Sequence, residues 1–215
     1  MLVRDVMTPN PTSGYPEMPI TEVQALMQEN NVRHLPILDA GEKLVGLITQ
    51  RSIMQAAPPD LSQFSPFVVN YVLAKLQAHN IMVRGVVTIS PNTTIEEAAR
   101  IMADEKIGCL PVMRGDDMVG IITDSALFDI MVNLLGARRP GVRMTVLQPD
   151  RAGEVARLTR AIDEKGGYIS VFVTYPTAEP GIWASVVKVT NIPRADLVEI
   201  VSGLEDTRIQ DVREA

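Results

Sequence analysis

Leu35-Pro36-Ile37-Leu38 … Leu44-Val45-Gly46-Leu47-Ile48-Thr49 is written a second time, as Leu110-Pro111-Val112-Met113 … Met118-Val119-Gly120-Ile121-Ile122-Thr123. Ile20 and Pro36 recur 75 positions on, at Ile95 and Pro111, whereas Gly46 and Thr49 recur 74 positions on, at Gly120 and Thr123. A single deletion in the loop between the two apolar runs keeps the copies in register. Two copies of one folding unit predict a pseudo-symmetric pair with a ligand cleft between them.

Working outward, each copy reads helix, strand, turn, strand, helix. Thr94-Ile95-Glu96-Glu97 has capping-box spacing, with Thr94 as N-cap and Glu97 reaching back. Ile95, Ala98, Ala99 and Met102 then share a helical face, as Ile20, Val23, Leu26 and Met27 do in the first copy. Gly108 is expected to end the second of these helices. The apolar runs are continuous, as in strands covered on both faces. Each closes at a threonine that opens a further helix: Ser52 to Ala56 in copy one, Ser125 to Leu135 in copy two.

Pro58 to Pro66 reads as a connector, and Val68, Val69, Val72, Leu73 and Leu76 as an amphipathic helix after it. Gly136-Ala137-Arg138-Arg139-Pro140-Gly141 reads as a domain linker. Beyond it the pattern changes. Strands are expected over 142–147, 168–175, 182–189 and 209–212. Helices are expected on the Val155, Leu158, Thr159 and Ile162 face and over 194–204. The order βαββαβ predicts a ferredoxin-like sandwich of four antiparallel strands with both helices on one face. The fold class is therefore α/β (α+β). The segments are 1–57, a connector with its helix at 58–79, 80–136, and a C-terminal unit at 142–215.

The 215 residues carry a formal net charge of −6, with 46% hydrophobic and 21% charged side chains. That balance suits a soluble globule and argues against general nucleic-acid binding, which needs a basic footprint. No apolar window reaches the roughly 20 residues of a membrane helix, and the start lacks a signal core. One cysteine, Cys109, cannot form an internal disulfide; it reads as a buried structural thiol in a reducing, cytoplasmic protein. Neither metal-ligand spacing, nor a nucleophile–histidine constellation, nor a complete phosphate-binding loop occurs, and only His34 and His79 are available to an enzyme. The chain thus reads as non-catalytic, with no metal.

The chemistry points to the strand-to-helix corners. Thr49 and Thr123 each follow a buried strand and begin a helix. Such a hydroxyl either caps the helix or holds a ligand hydroxyl, while free N–H groups attract phosphate. Gly46 and Gly120 let something pack close to the strand. In the third unit, Asp150, Ala152 and Gly153 lie between a strand and a helix. There Asp150 either caps the helix, or free N–H groups take an amino-acid carboxylate with Gly153 allowing close approach.

These residues resemble a known family. The strand-turn-strand followed by Gly-hydrophobic-hydrophobic-Thr looks like the CBS domain, named after cystathionine β-synthase, and Val3-Arg4-Asp5-Val6-Met7-Thr8-Pro9 looks like its opening segment. The resemblance covers about residues 1 to 135. CBS domains occur in tandem and commonly bind adenine nucleotides or S-adenosylmethionine between the copies. The C-terminal βαββαβ unit, with Pro149-Asp150-Arg151-Ala152-Gly153, resembles an ACT domain, a small regulatory module that often binds amino acids. The combination looks like the acetoin-utilisation B type of bacterial regulatory protein.

The resemblance implies a corner of the form Gly-h-h-Thr-x-x-Asp, where Thr and Asp contact ribose hydroxyls. Here Ser52 replaces the aspartate in copy one and Ala126 replaces it in copy two, where Asp124 follows Thr123 directly. Basic residues just before Leu-Pro often contact phosphates in the family. Copy one supplies Arg33 and His34 there, and copy two Gly108 and Cys109. The implied nucleotide-binding residues are Thr49, Ser52, Thr123, Asp124, Arg33 and His34, with AMP, ADP or ATP as ligand and S-adenosylmethionine as a further candidate. His34 reads either as a partly protonated phosphate contact or as an ordinary polar residue at a strand entrance.

Two functions follow. One is a sensor whose occupied cleft biases an assembly or a partner. The other is a structural dimerisation module with degenerate sites, which Ser52 and Ala126 favour. In both, a homodimer is expected. CBS pairs stack as disk-like dimers, and Val171-Phe172-Val173 and Val186-Val187 put apolar side chains on both faces of the C-terminal sheet, leaving one face bare in a monomer.

Overall fold

The computed structural model describes residues 1–56 and 75–214. The connector at 58–66, and Val68, Val69, Val72 and Leu73 of the helix expected after it, lie outside the described residues. In copy one, α1 (Ile20–Glu29) buries Ile20, Val23 and Met27 against β2 (His34–Leu38) and β3 (Leu44–Thr49), and α2 (Gln50–Ala56) follows. The helical spacing of those residues and the continuous apolar strands build one core with Leu35, Ile37 and Ile48.

Copy two repeats the plan with α4 (Ile95–Glu105), β4 (Cys109–Arg114), β5 (Asp117–Thr123) and α5 (Asp124–Leu134); α3 is the short helix Ala78–Ile81. Thr94 caps α4 by accepting from the Glu97 N–H at 3.2 Å. The reciprocal half of the capping box is not made, because the Glu97 carboxylate turns to the Arg100 guanidinium at 2.7 Å. Gly108 does not end this helix either. Lys106 does, in the left-handed region with φ 56°.

The two copies exchange their leading segments. Val3 donates to the Thr93 carbonyl at 2.9 Å and is buried with Ile89, Ala98, Leu110 and Ile122 of copy two. The two-residue strand β1 (Thr8–Pro9) pairs with β5, Thr8 opposite Ile121 and Pro9 opposite Gly120. In return, α3 joins copy one: Ala78 donates to the Met18 carbonyl at 2.8 Å, and Leu47 and Val83 exchange two bonds. Ala78 and Met82 belong to the first core. The two glycines are explained by the same exchange. Met82 lies where a side chain on Gly46 would be, and a Cβ on Gly120 would sit 2.6 Å from Met7 Sδ. Leu47, Cys109 and Ile121 form a smaller cluster between the copies.

Met1–Leu127 is one compact unit and Phe128–Ala215 another. In the second, β6 (Val142–Pro149), α6 (Glu154–Asp163), β7 (Tyr168–Pro176), β8 (Ile182–Thr190), α7 (Arg194–Ser202) and β9 (Arg208–Glu214) run in the expected order. The strands lie β7-β8-β6-β9, every pair antiparallel. Leu158 and Ile162 of α6 and Leu197 and Val201 of α7 pack on Val142, Met144, Val146, Val187 and Val189, so both helices cover one face. Val155 is exposed, contrary to the helical face expected for it, and Glu154 is buried one position earlier.

The opposite face of this sheet is not bare. Thr145, Val171, Ala184 and Lys188 are buried there. Gly136 sits against the Val171 and Lys188 side chains, and its carbonyl accepts from Lys188 Nζ at 2.9 Å. The alternation of the strands put apolar groups on both faces; over Val171 and Lys188 the covering came from the turn that follows α5.

Candidate functional site

In the strand ladders His34 stands opposite Thr49, and Cys109 opposite Thr123. Residues 33, 34, 49 and 123 therefore all gather at the end of the repeat pair where the strands give way to α2 and α5. A cavity of about 390 Å³ there is lined by residues of both copies: Thr8, Asn10, Thr12, Arg33, His34, Thr123 and Ser125 among them. A neighbouring cavity of about 540 Å³ is lined by Arg33, His34, Thr49, Gln50, Arg51 and Asp124 among others. Arg33 and His34 of copy one thus share each cavity with a corner residue of copy two.

Arg33 crosses between the copies. Its Nη2 donates to Asp124 Oδ1 at 3.0 Å and to Ser125 Oγ at 2.8 Å. Gly108 leaves the room this requires, since a Cβ on it would sit 3.2 Å from Asp124 Oδ2 and 3.3 Å from His34 Nε2. The threonine hydroxyls act as caps: Thr49 Oγ1 accepts from the Ser52 N–H at 3.1 Å, and Thr123 Oγ1 from the Ala126 N–H at 3.3 Å. Ser52 closes on the same turn. Its Oγ accepts from the Thr49 N–H and donates to the Thr49 carbonyl, both at 2.9 Å. Ala126 has no polar side-chain atom to offer.

Burial pushes the His34 ring below its ordinary value of 6.5, against the opposing pull of Asp124 and with a smaller push from Arg33. The ring is held in its neutral form, which does not suit a protonated phosphate contact. The sign for stability follows. As pH falls through 6.5 the unfolded chain binds a proton that folded His34 resists, so stability is lost on acidification. Thermal melts between pH 7.5 and 5 should show a larger loss for the parent than for His34→Gln; equal losses would remove His34 from the account. Cys109, buried between the copies, has its thiol pushed up to about 12 by burial first and by Asp124 second, and is inert as a nucleophile.

In the second unit Asp150 does not cap α6. The N-cap is Gly153, in the left-handed region at φ 97°, with no side-chain cap bond. The Asp150 N–H donates instead to the Gly181 carbonyl at 2.8 Å. The neighbouring charges centre on buried Glu154, which pairs with Arg151 at 2.6 Å and with Arg157.

Thr8, Asn10, Thr12 and Ser125 are cavity residues that corner motifs do not reach. The segment leading to the first three carries only a faint repeat signal, Met7 recurring as Met82 at the same 75-residue offset. Among the described residues, no group of three His, Cys, Asp or Glu side chains converges as a metal site, and no helix is long and apolar enough to cross a membrane.

A pair of repeats with mutually exchanged leading segments and a cleft at their strand-to-helix corners defines a tandem repeat module. The CBS domain family model matches residues 3–58 and 78–133, and the chain belongs to that family. It is similar to a crystal structure from Vibrio cholerae assigned to acetoin utilization (AcuB), at 32% identity and TM-score 0.53, over 64% of this chain and 95% of that one. The CBS domain pair of protein MJ0100, solved with 5′-methylthioadenosine and S-adenosyl-L-methionine, is 28% identical over 65% of this chain and 98% of that chain, at TM-score 0.52. CBS domain-containing protein YhcV of Bacillus subtilis is 28% identical over 66% of this chain and 92% of its own length. An inosine-5′-monophosphate dehydrogenase of Korarchaeum cryptofilum is 31% identical over 59% of this chain, a match that spans only 22% of the enzyme.

Proposed function

We propose that this chain is a non-catalytic, cytoplasmic regulatory protein that binds an adenine nucleotide in the cleft between its CBS copies. The carrying observation is the cavity built by both copies, in which Arg33 of one faces Thr123 and Ser125 of the other. A guanidinium at a helix start suits a phosphate, and a threonine hydroxyl suits a ribose. The likeness to a CBS pair solved with adenosine compounds supports the ligand class. Calorimetry with AMP, ADP, ATP and S-adenosylmethionine tests it. Affinity should be modest, because the aspartates missing at positions 52 and 126 remove charge-assisted bonds worth roughly 1.5–3 kcal/mol apiece. Arg33→Ala should weaken AMP far more than adenosine; equal losses would assign Arg33 to the fold. No heat at millimolar ligand would leave the structural-module reading, which the closed Thr49–Ser52 turn favours.

The C-terminal unit is read as ACT-like, with an amino-acid carboxylate meeting the uncapped start of α6 at Asp150, Ala152 and Gly153. Homodimerisation completes the proposal. It is supported by α5, which buries none of its residues and exposes Phe128 at 62%, with Met131 and Leu134, and Leu135 just beyond the helix, also exposed. Met54, the copy-one equivalent of Phe128 at the 74-residue offset, is exposed at 72%. Large exposed apolar groups mark interfaces. Phe128→Glu is expected to shift the dimer to monomer in light scattering. A parent that stays monomeric up to millimolar concentration would refute the dimer.

A further inference from the structure

We propose that Asp124 is a charge-selectivity residue: an anion built into the protein, it occupies the guanidinium of Arg33 and disfavours ligands that bring a phosphate of their own. This rests on the reading of the cleft as an adenosine site. Asp124 is the first residue of α5, and its Oδ1 accepts from the Ser125 N–H at 2.6 Å, from the Ser125 hydroxyl at 3.3 Å and from Arg33 at 3.0 Å. A carboxylate thus takes both the helix-start N–H and the guanidinium that a ligand phosphate would use. The Asp124 N–H is itself held by the Gly108 carbonyl at 2.9 Å within copy two, while the carboxylate reaches across to Arg33 of copy one.

The repeat supplies an internal comparison. The copy-one equivalent of Asp124 is Gln50, and the copy-two equivalent of Arg33 is Gly108. The ion pair therefore has no counterpart at the mirrored positions, where Gln50 and Gly108 stand, and Arg33 and Asp124 both line the cavity that holds Thr49 and Gln50. A phosphorylated ligand reaching Arg33 must separate it from Asp124 and then lie beside the freed carboxylate. An uncharged adenosine need not, and a sulfonium nucleoside gains from the same negative charge. Arg33 and Asp124 are partly exposed, which keeps the effect to the size of a surface charge pair.

The test compares affinity ratios in the full chain by calorimetry, with AMP, adenosine and S-adenosylmethionine as probes. In Asp124→Asn, and again in Asp124→Ser, the AMP-to-adenosine ratio should rise roughly three- to tenfold while the S-adenosylmethionine-to-adenosine ratio falls. With Arg33→Gln added, the gain for AMP should vanish. Ratios that stay constant, or move in the same direction, overturn the role of Asp124 while leaving the adenosine site standing. Absence of binding by all three compounds to parent and variants overturns the site and the inference together.

Discussion

Gly120→Val is expected to destabilise the repeat pair by about 2–3 kcal/mol, the cost of overpacking a filled core. A single added Cβ would already lie 2.6 Å from Met7 Sδ and 2.9 Å from the Thr8 carbonyl oxygen. The thioether can swing aside. The carbonyl cannot, because Thr8 is held in register opposite Ile121. Relief must push β1 off β5, and Thr8 lines the inter-copy cavity. Urea unfolding should therefore register the loss, and adenosine binding should fall with it. Met7→Ala in the same chain should recover only part of the stability, since the clash with the backbone persists. A Gly120→Val protein as stable as the parent would mean that β1 does not lie where the register places it.

The second large effect is expected at the other end of the chain. Glu154 is buried, pairs with Arg151 and Arg157, and its carbonyl accepts from buried Gln148 at 3.5 Å. Arg157 Nη2 also reaches the Glu205 carbonyl at 2.6 Å, while its Nε is buried with no partner. The guanidinium therefore depends on Glu154 for its counter-charge. Glu154→Ala should cost about 1–2 kcal/mol, because the charge-assisted bonds of a buried carboxylate are lost while Arg151 and Arg157, both partly exposed, turn in part to water. Hydrogen exchange should show the loss over residues 142–214. Glu154→Gln should recover part of it through hydrogen bonding alone. Unchanged protection in the alanine variant would refute the account.

Much of this architecture was legible because it rests on periodicity and repetition. The 75-residue offset revealed the two copies, and the βαββαβ order foretold the strand arrangement of the second unit. Boundaries were harder wherever a local rule had a competitor. Glu97 had a better partner in Arg100 than in the helix start, Lys106 took the left-handed turn that Gly108 seemed placed for, and Glu154 displaced Val155 from the covered face. At the site, Arg33 and the threonines stood out as residue types, but their partners did not. Asp124 lies 91 residues from Arg33 in the chain, and no local pattern links them. The exchanged segments hid for a related reason: Val3-Arg4-Asp5-Val6-Met7 and Ala78-His79-Asn80-Ile81-Met82 conserve shape and an end methionine rather than identity.

That exchange dictates an order of events during synthesis. Ile121 emerges 113 residues after the Thr8 it must pair with. At roughly 5–20 residues per second, the first-made segment waits on the order of ten seconds for its place. The strand Leu44–Thr49 waits too, for Met82 to cover Gly46. The first core closes once the residues up to Val83 have emerged, but Val3 to Pro9 stand apart until the second corner has left the exit tunnel.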